Sequence, residues 1–436
     1  MNTLRHLFIV ITAITGLSVA AQQTPAPSQK GAITITGATA HIGNGNTIEN
    51  ATIIFENGIL TAVGTSSVSA KGTIINATGK HVYPGFIAPA KSLGLIEVNA
   101  VRASNDQDEI GDMIPHIRSI IAYNAESKVV ESMRPNGVLI GQITPQGGTI
   151  SGSSSIVQFD AWNWEDAAIK TDDGIHLHWP STFRRGRWWA GESRGYQPNK
   201  NYTKQTQKIT TYLKSSKAFG SGEDQAANES LKAMQGLFDG SKKLYVYADG
   251  EKEIIDAITL SKQAGIDKIV LIGAYQGYKI IPFLKQHDIP VLVQQTHALP
   301  KSADDHYDLP YKLPKLLVEG GLLVGLQNSS MSNFQTRNLP FYAGQLVSQG
   351  MDKETALQLI SGNTAKILGL DKYGTLELGK SATLFISEGD ALDMMGNNLS
   401  RAFIDGRDIS LETHQTELWK RYMGKYNQKY TAPYHP

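Results

Sequence analysis

The chain has 436 residues, with 41 Lys+Arg against 40 Asp+Glu, 11 His and no Cys. A hydrophobic share of 41% beside 19% charged residues excludes global disorder, and a net charge of +1 argues against a general binder of nucleic acid or anionic membrane. Without cysteine there are no disulfides, thiolate nucleophiles, iron–sulfur clusters or Cys-ligated zinc, so any transition metal must be held by histidines and carboxylates.

The chain opens with Arg5, an apolar run at 7–17 and the small residues Ser18, Val19, Ala20 and Ala21. A basic start, an apolar stretch and a small-residue end predict a signal peptide over 1–21, cleaved after Ala21. The run is shorter than the roughly 20 apolar residues of a membrane span, and no later segment is a candidate. The expected protein is therefore exported, periplasmic or secreted, with no membrane span. Pro25 and Pro27 read as a short lead-in.

Residues 32–82 carry short alternating β patterns, and Asn57-Gly58 between two of them predicts a tight hairpin, because both turn residues tolerate positive φ. The middle switches to strand–helix alternation. Strands are expected at 243–247, 268–272 and 289–293, with helices at 251–264 and 278–286, an order that requires parallel pairing. The segment 179–220 reads as a surface excursion rich in Arg, Gly, Tyr, Lys and Thr. Asp352 offers an N-cap for a helix reaching Ile360, and a further turn at 365–368 ends near Gly369. Short strands return at 375–378, 382–387 and 402–404, the last closing at Asp405-Gly406. The expected fold class is α/β: a (β/α)8 TIM-type barrel over 84–370, a small β domain assembled from both chain ends over 31–83 and 371–412, and a tail at 413–436.

Two stretches carry a resemblance. One is Asn57-Gly58-Ile59 through Val63-Gly64, followed by Gly79-Lys80-His81-Val82-Tyr83-Pro84-Gly85-Phe86-Ile87. The other runs from Asn363-Thr364-Ala365 to Leu370, then from Gly374-Thr375-Leu376 to Leu384. Together they resemble the amidohydrolase superfamily of metal-dependent hydrolases, most nearly its exported imidazolonepropionase-like branch. That resemblance implies that the small domain of 31–83 and 371–412 is a composite β-sandwich, and that the barrel is a hydrolase whose divalent metal generates hydroxide at neutral pH and polarises the scissile carbonyl. It also implies a His-x-His pair just after the Pro84-Gly85-Phe86-Ile87 run, histidines ending two later strands, and an aspartate on the last barrel strand. By register these positions are Ala90 and Ser92, then Tyr247, then Gly273, then Ser329, with Asn328 as the neighbouring alternative; the acid expected after Ile87 is Ala88. The ligand set is vacated in this reading, so no metal is expected, with zinc as the alternative.

Other constellations remain open. His176-Leu177-His178 places two imidazoles on one face of a strand, against a plain half-exposed strand. Asp304, Asp305 and His306 follow the 289–293 strand, where loops line the catalytic face of a barrel, against a solvated loop. Asp106, Asp108, Glu109 and Asp112 offer oxygen ligands for calcium or a carboxylate pair, against a charged surface loop. Arg184, Arg185, Arg187, Trp188, Trp189 and Arg194 form a patch suited to sugars or carboxylates. The small-residue run 151–155 lacks a Gly-x-Ser-x-Gly elbow, and Trp162 and Trp164 read as packing. Three functions follow: a non-catalytic or divergent amidohydrolase-fold protein holding a small molecule in the barrel mouth or pairing with an amidohydrolase-like chain; an active hydrolase of cyclic-amide or small peptide-like C–N bonds through an unconventional site; and a sugar or peptide binder using the Arg/Trp excursion.

Overall fold

The computed structural model describes residues 24–186, 189, 191, 195–219, 228–294, 296–330 and 332–428. The expected signal peptide, together with Arg187, Trp188 and Arg194, lies outside them. The chain first lays down β1 (Ile33–His41), β2 (Thr47–Glu56), β3 (Ile59–Thr65), β4 (Thr73–Asn76) and β5 (His81–Pro84). Asn57 and Gly58, at φ 52° and 78°, join β2 to β3 in the left-handed conformations that a two-residue hairpin demands.

A single residue, Gly85, separates β5 from β6 (Phe86–Lys91), the first strand of a second sheet. It continues with β7 (Val138–Ile143), β8 (Ile150–Gln158) and β9 (Ala168–His178). A small surface ribbon, β10 (Phe183–Arg185) with β11 (Tyr196–Pro198), and helix α1 (Tyr202–Phe219) interrupt it. Then come β12 (Lys243–Ala248), helix α2 (Glu251–Gln263), β13 (Ile269–Gly273), β14 (Val291–Val293) and β15 (Val324–Leu326). The sheet order is β15-β14-β13-β12-β9-β8-β7-β6. Helices α3 (Lys353–Gln358) and α4 (Gly362–Leu368) follow, and the segment between them closes the ring. Ile87 N–H donates to Ile360 O and Leu326 N–H to Leu359 O, both at 2.9 Å. The first and last strands are thus stitched through one turn of chain.

Eight strands match the expected count, but the expected uniform β/α alternation does not hold. β8 runs antiparallel to both β7 and β9, whereas β6–β7 and β9–β12–β13–β14–β15 are parallel. The links flanking β8 are too short for the dozen or more residues of a crossover, so the chain turns straight back. Alternation separates two faces of the barrel wall. Ile87, Ile140, Ile156, Tyr245, Ile272 and Leu292 meet Ala365, Ile367 and Leu368 of α4 inside. Phe86, Leu139, Leu177, Val246, Leu271 and Val293 join a larger cluster outside. In α2 the buried positions Ile254, Ala257, Ile258 and Ser261 follow the helical repeat onto that outer cluster.

The chain then returns to the first sheet with β16 (Leu384–Ser387), β17 (Leu399–Ile404) and β18 (Arg407–Ile409). The order is β18-β17-β16-β5-β1-β2-β3, with β4 beside β1, so strands from both chain ends form one eight-stranded sheet. Its own core joins Ile35, Ile53, Phe55 and Leu60 to Leu384, Ile386 and Phe403. The expected strand at 375–378 is not one: Leu376 N–H reaches Ile42 O and Gly379 N–H reaches Leu60 O, single contacts made by a turning chain. Asp160 ties the parts together. It accepts from Arg134 at 3.0 Å, from Arg407 at 2.8 Å and from the Ala26 amide at 2.8 Å. Among the described residues no helix is long and apolar enough to cross a membrane.

Candidate functional site

The strand ends at the barrel mouth are where the expected metal ligands would lie. On β6 the pairing with β7 slips between Ala88 and Lys91, and Ala90 sits at φ 56°, a conformation an L-residue seldom adopts. Its amide donates to Gln142 Oε1 at 3.0 Å, and Ser92 Oγ donates to Thr144 O at 2.9 Å. Both positions are buried. Between them Lys91 is 2% exposed, its Nζ 3.2 Å from Asn328 O. Burial brings its pKa down to about 8.

Tyr247, the third position expected to hold a ligand, belongs to a stack. β9 and β12 pair in parallel with His176 opposite Tyr245 and His178 opposite Tyr247. Because residues two apart share a face, the four rings form two layers. His176 lies on Tyr245 with centroids 4.7 Å apart at 9°, and His178 on Tyr247 at 4.2 Å and 11°. Tyr247 OH is 3.2 Å from His176 Nδ1. Burial drives the His178 pKa down to about 4 and that of His176 well below its ordinary value. Both rings are therefore neutral at pH 7. The Nε2 atoms of both, and Nδ2 of Asn328, are buried with no hydrogen-bond partner among the described residues.

One layer deeper, Asp173 is 1% exposed and accepts from Tyr245 OH at 2.6 Å, Ser154 Oγ at 2.7 Å and Gln142 Nε2 at 3.1 Å. Burial raises its pKa, and the tyrosine and serine bonds oppose that rise. Gln142 thus links the Asp173 carboxyl to the Ala90 amide, and the network is closed at its base.

Gly273, the fourth position, ends β13 at φ 101°. A Cβ built there would lie 2.7 Å from Asp249 Oδ1, so the space a ligand side chain would need is taken by a neighbouring carboxylate. That carboxylate also accepts from Tyr275 N–H at 3.2 Å and pairs with Lys301. Ser329, the fifth, turns its amide onto Gln327 Oε1.

These donors do not fit a metal centre. A catalytic zinc takes three protein ligands from nitrogen, sulfur or carboxylate oxygen, and among the described residues no group of three or more His, Asp or Glu is arranged to hold an ion. His176 and His178 are brought together on one face, as their spacing predicts, without a third ligand.

The other candidates are dispersed. Asp305 accepts from Tyr275 OH at 2.7 Å and Ser302 N–H at 2.9 Å, His306 pairs with Asp308, and Asp304 is exposed. Asp112 accepts from Thr149 Oγ1 at 2.6 Å and pairs with Lys208, whereas Asp106, Asp108 and Glu109 are exposed, so the four do not converge. The run 151–155 is part of the buried strand β8, its Ser154 hydroxyl held by Asp173. Trp164 packs on the core and Trp162 is exposed, against the expectation of packing. Of the basic patch, Arg184, Arg185 and Trp189 are exposed. A further imidazole cluster lies apart from the mouth: His41 Nδ1 is 2.7 Å from Glu354 and its Nε2 is 3.0 Å from His81 Nδ1, joining β1 and β5 to α3. Sequence reasoning missed Gln142, Asp173, Tyr245 and Lys91. Only Lys91 carried a local signal, a charge inside an otherwise uncharged strand.

No family model matches the chain, and no curated protein matches it in sequence. Solved structures do. An amidohydrolase from Thermotoga maritima MSB8 superposes with a TM-score of 0.76 at 21% identity, covering 87% of this chain and 99% of that one. Molinate hydrolase gives 0.52 at 14%, covering 88% and 96%. A zinc-bound adenosine deaminase from Xanthomonas campestris gives 0.53 at 11%, covering 92% and 99%. The neighbours are amidohydrolases, and this chain has their fold.

Proposed function

We propose that this chain is an exported member of the amidohydrolase superfamily that has lost the metal-dependent centre of its fold and uses the barrel mouth to hold a small molecule. The observation that carries the reading is the chemistry at the vacated positions. Ala90, Ser92, Gly273 and Ser329 offer neither imidazole nor carboxylate, and Tyr247 is committed to its stack on His178. A fold persists while its site changes, so the barrel alone does not carry hydrolysis. The unpartnered Nε2 atoms of His176 and His178 and the Asn328 amide support a ligand with hydrogen-bonding groups. A buried polar atom left without a partner costs about 1–3 kcal/mol, which a bound molecule or water recovers. Where Tyr247 O–H donates to His176 Nδ1, the neutral ring carries its proton on Nε2 and, like the Asn328 amide, offers a donor to an oxygen acceptor; in the other tautomer Nε2 is an acceptor.

The active C–N hydrolase built on His176 and His178 gains nothing from this donor set. Thermal denaturation with and without a strong chelator tests the proposal. A metal-built centre loses stability when its ion is removed; this protein is expected to melt at the same temperature in both conditions. A fall of several degrees on chelation, restored by zinc, would overturn the reading.

A further inference from the structure

Beside the barrel mouth, and separate from the ring stack, lies a cleft of about 980 Å³. Its walls are the β10–β11 ribbon, the start of α2 and the loops that follow β13 and β14. A volume of that order is at the upper end for a bound small molecule and suits a few residues of extended peptide.

The cleft has a pronounced charge. Among the described residues six carboxylates line it, those of Asp249, Glu251, Glu253, Asp256, Asp304 and Asp305, against the ammonium groups of Lys252 and Lys301, an excess of four negative charges. The whole chain carries 41 basic and 40 acidic residues, so this excess is local. Four of the six are engaged. Glu253 accepts from Ser181, Thr182 and the Gly250 amide, and Asp256 from Tyr202 and Lys252. Asp249 pairs with Lys301, and Asp305 holds Tyr275. The exposed carboxylates of Glu251 and Asp304 have no hydrogen-bond or ion-pair partner among the described residues.

The ribbon supplies the opposite wall. β10 and β11 pair with Phe183 opposite Pro198 and Arg185 opposite Tyr196, so Phe183, Arg185, Tyr196 and Pro198 share one face. Phe183 is 54% and Tyr196 63% exposed, so most of each ring is left uncovered by the chain itself. Counting Arg185, which lies on that face, still leaves three negative charges in excess among the described residues. The cleft already uses the chemistry that such walls invite: Lys301 Nζ lies 5.0 Å from the centre of the Tyr275 ring and Lys252 Nζ 5.5 Å from that of Tyr202.

From the aromatic wall facing an acidic one, we propose that this cleft binds a short cationic peptide in extended form. Aromatic or aliphatic side chains lie on Phe183 and Tyr196, and ammonium or guanidinium groups face Glu251 and Asp304. The sign is opposite to that expected from the arginines of the excursion, because the floor beneath the ribbon comes from three other segments of the chain.

The test uses the full chain and two labelled, end-blocked tetrapeptides, one alternating arginine with phenylalanine and the other glutamate with phenylalanine, in fluorescence anisotropy titrations. The cationic peptide is expected to bind, to weaken at least about tenfold as salt rises from about 50 to about 300 mM, and to exceed the acidic peptide by a similar factor. Glu251→Gln with Asp304→Asn, and separately Phe183→Ala, are each expected to weaken it by about tenfold with an unchanged circular dichroism spectrum. His178→Gln, which alters the barrel mouth alone, should leave it unchanged. Equal affinity for both peptides, no binding of the cationic one at about 1 mM, or indifference to both cleft variants would overturn the proposal.

Discussion

Acid should destabilise this protein through the buried imidazoles of β9, and the size of the effect follows from their burial. His178 titrates at an ordinary 6.5 when unfolded and at about 4 when folded, because burial disfavours its charged form. A folded-state pKa below the unfolded one makes a contribution that is complete above the unfolded value. It is lost as pH falls from 6.5 towards 4, where the unfolded chain takes up the proton and the folded chain does not. Each unit of separation is worth about 1.4 kcal/mol, so between pH of about 7.5 and about 5 the loss from His178 alone is about 2 kcal/mol. His176, fully buried and shifted in the same direction, adds to it. Urea denaturation at the two pH values measures the loss. In His178→Gln the imidazole is gone, and the difference between the two pH values should shrink by about 2 kcal/mol, whatever the substitution costs at neutral pH. A parent protein equally stable at both, or a variant with an undiminished difference, would refute a buried neutral His178.

Two further substitutions probe how the parts are held. Asp160→Asn leaves Arg134 and Arg407 facing a neutral amide; Arg134 has only 5% of its side chain exposed, so a loss of about 3–5 kcal/mol is expected in the same denaturation assay. A loss below about 1 kcal/mol would show that the buried charges find other partners. Gly58→Ala puts a Cβ 2.9 Å from Asp405 O at φ 78° and should cost more than about 1 kcal/mol, whereas Asn57→Gly, which keeps the turn's freedom, should be tolerated. Similar melting curves for the two variants would contradict the tight packing of that hairpin against the β17–β18 turn.

Local chemistry made part of this fold legible. Asn57-Gly58 forms the hairpin it predicts, and Asp352 caps α3 by accepting from the Thr355 amide at 2.9 Å. The parallel strands β12 and β13 lie within a residue of their expected bounds. β8 was hidden because its centre, Gly152 to Ser155, has no apolar alternation; its hydroxyls are satisfied by partners far along the chain, such as Asp173. Helix α1 leaves little trace in the sequence of the 179–220 segment because its buried face is thin, Thr206, Ile209, Leu213 and Ser216. At the mouth, the spacing of His176 and His178 placed both on one face, but the rings they stack on come from β12, more than 60 residues later, and only the parallel register brings them together. The cleft draws on four separate segments, none of which carries a binding motif by itself.

Elemental analysis of the purified protein, by inductively coupled plasma mass spectrometry after gel filtration in metal-free buffer, bears most directly on the proposed loss of the metal centre. The arrangement of Ala90, Ser92, Tyr247, Gly273 and Ser329 predicts zinc, iron, manganese and nickel each far below one ion per chain. A near-stoichiometric ion that persists through purification and disappears in His176→Ala or His178→Ala would contradict it.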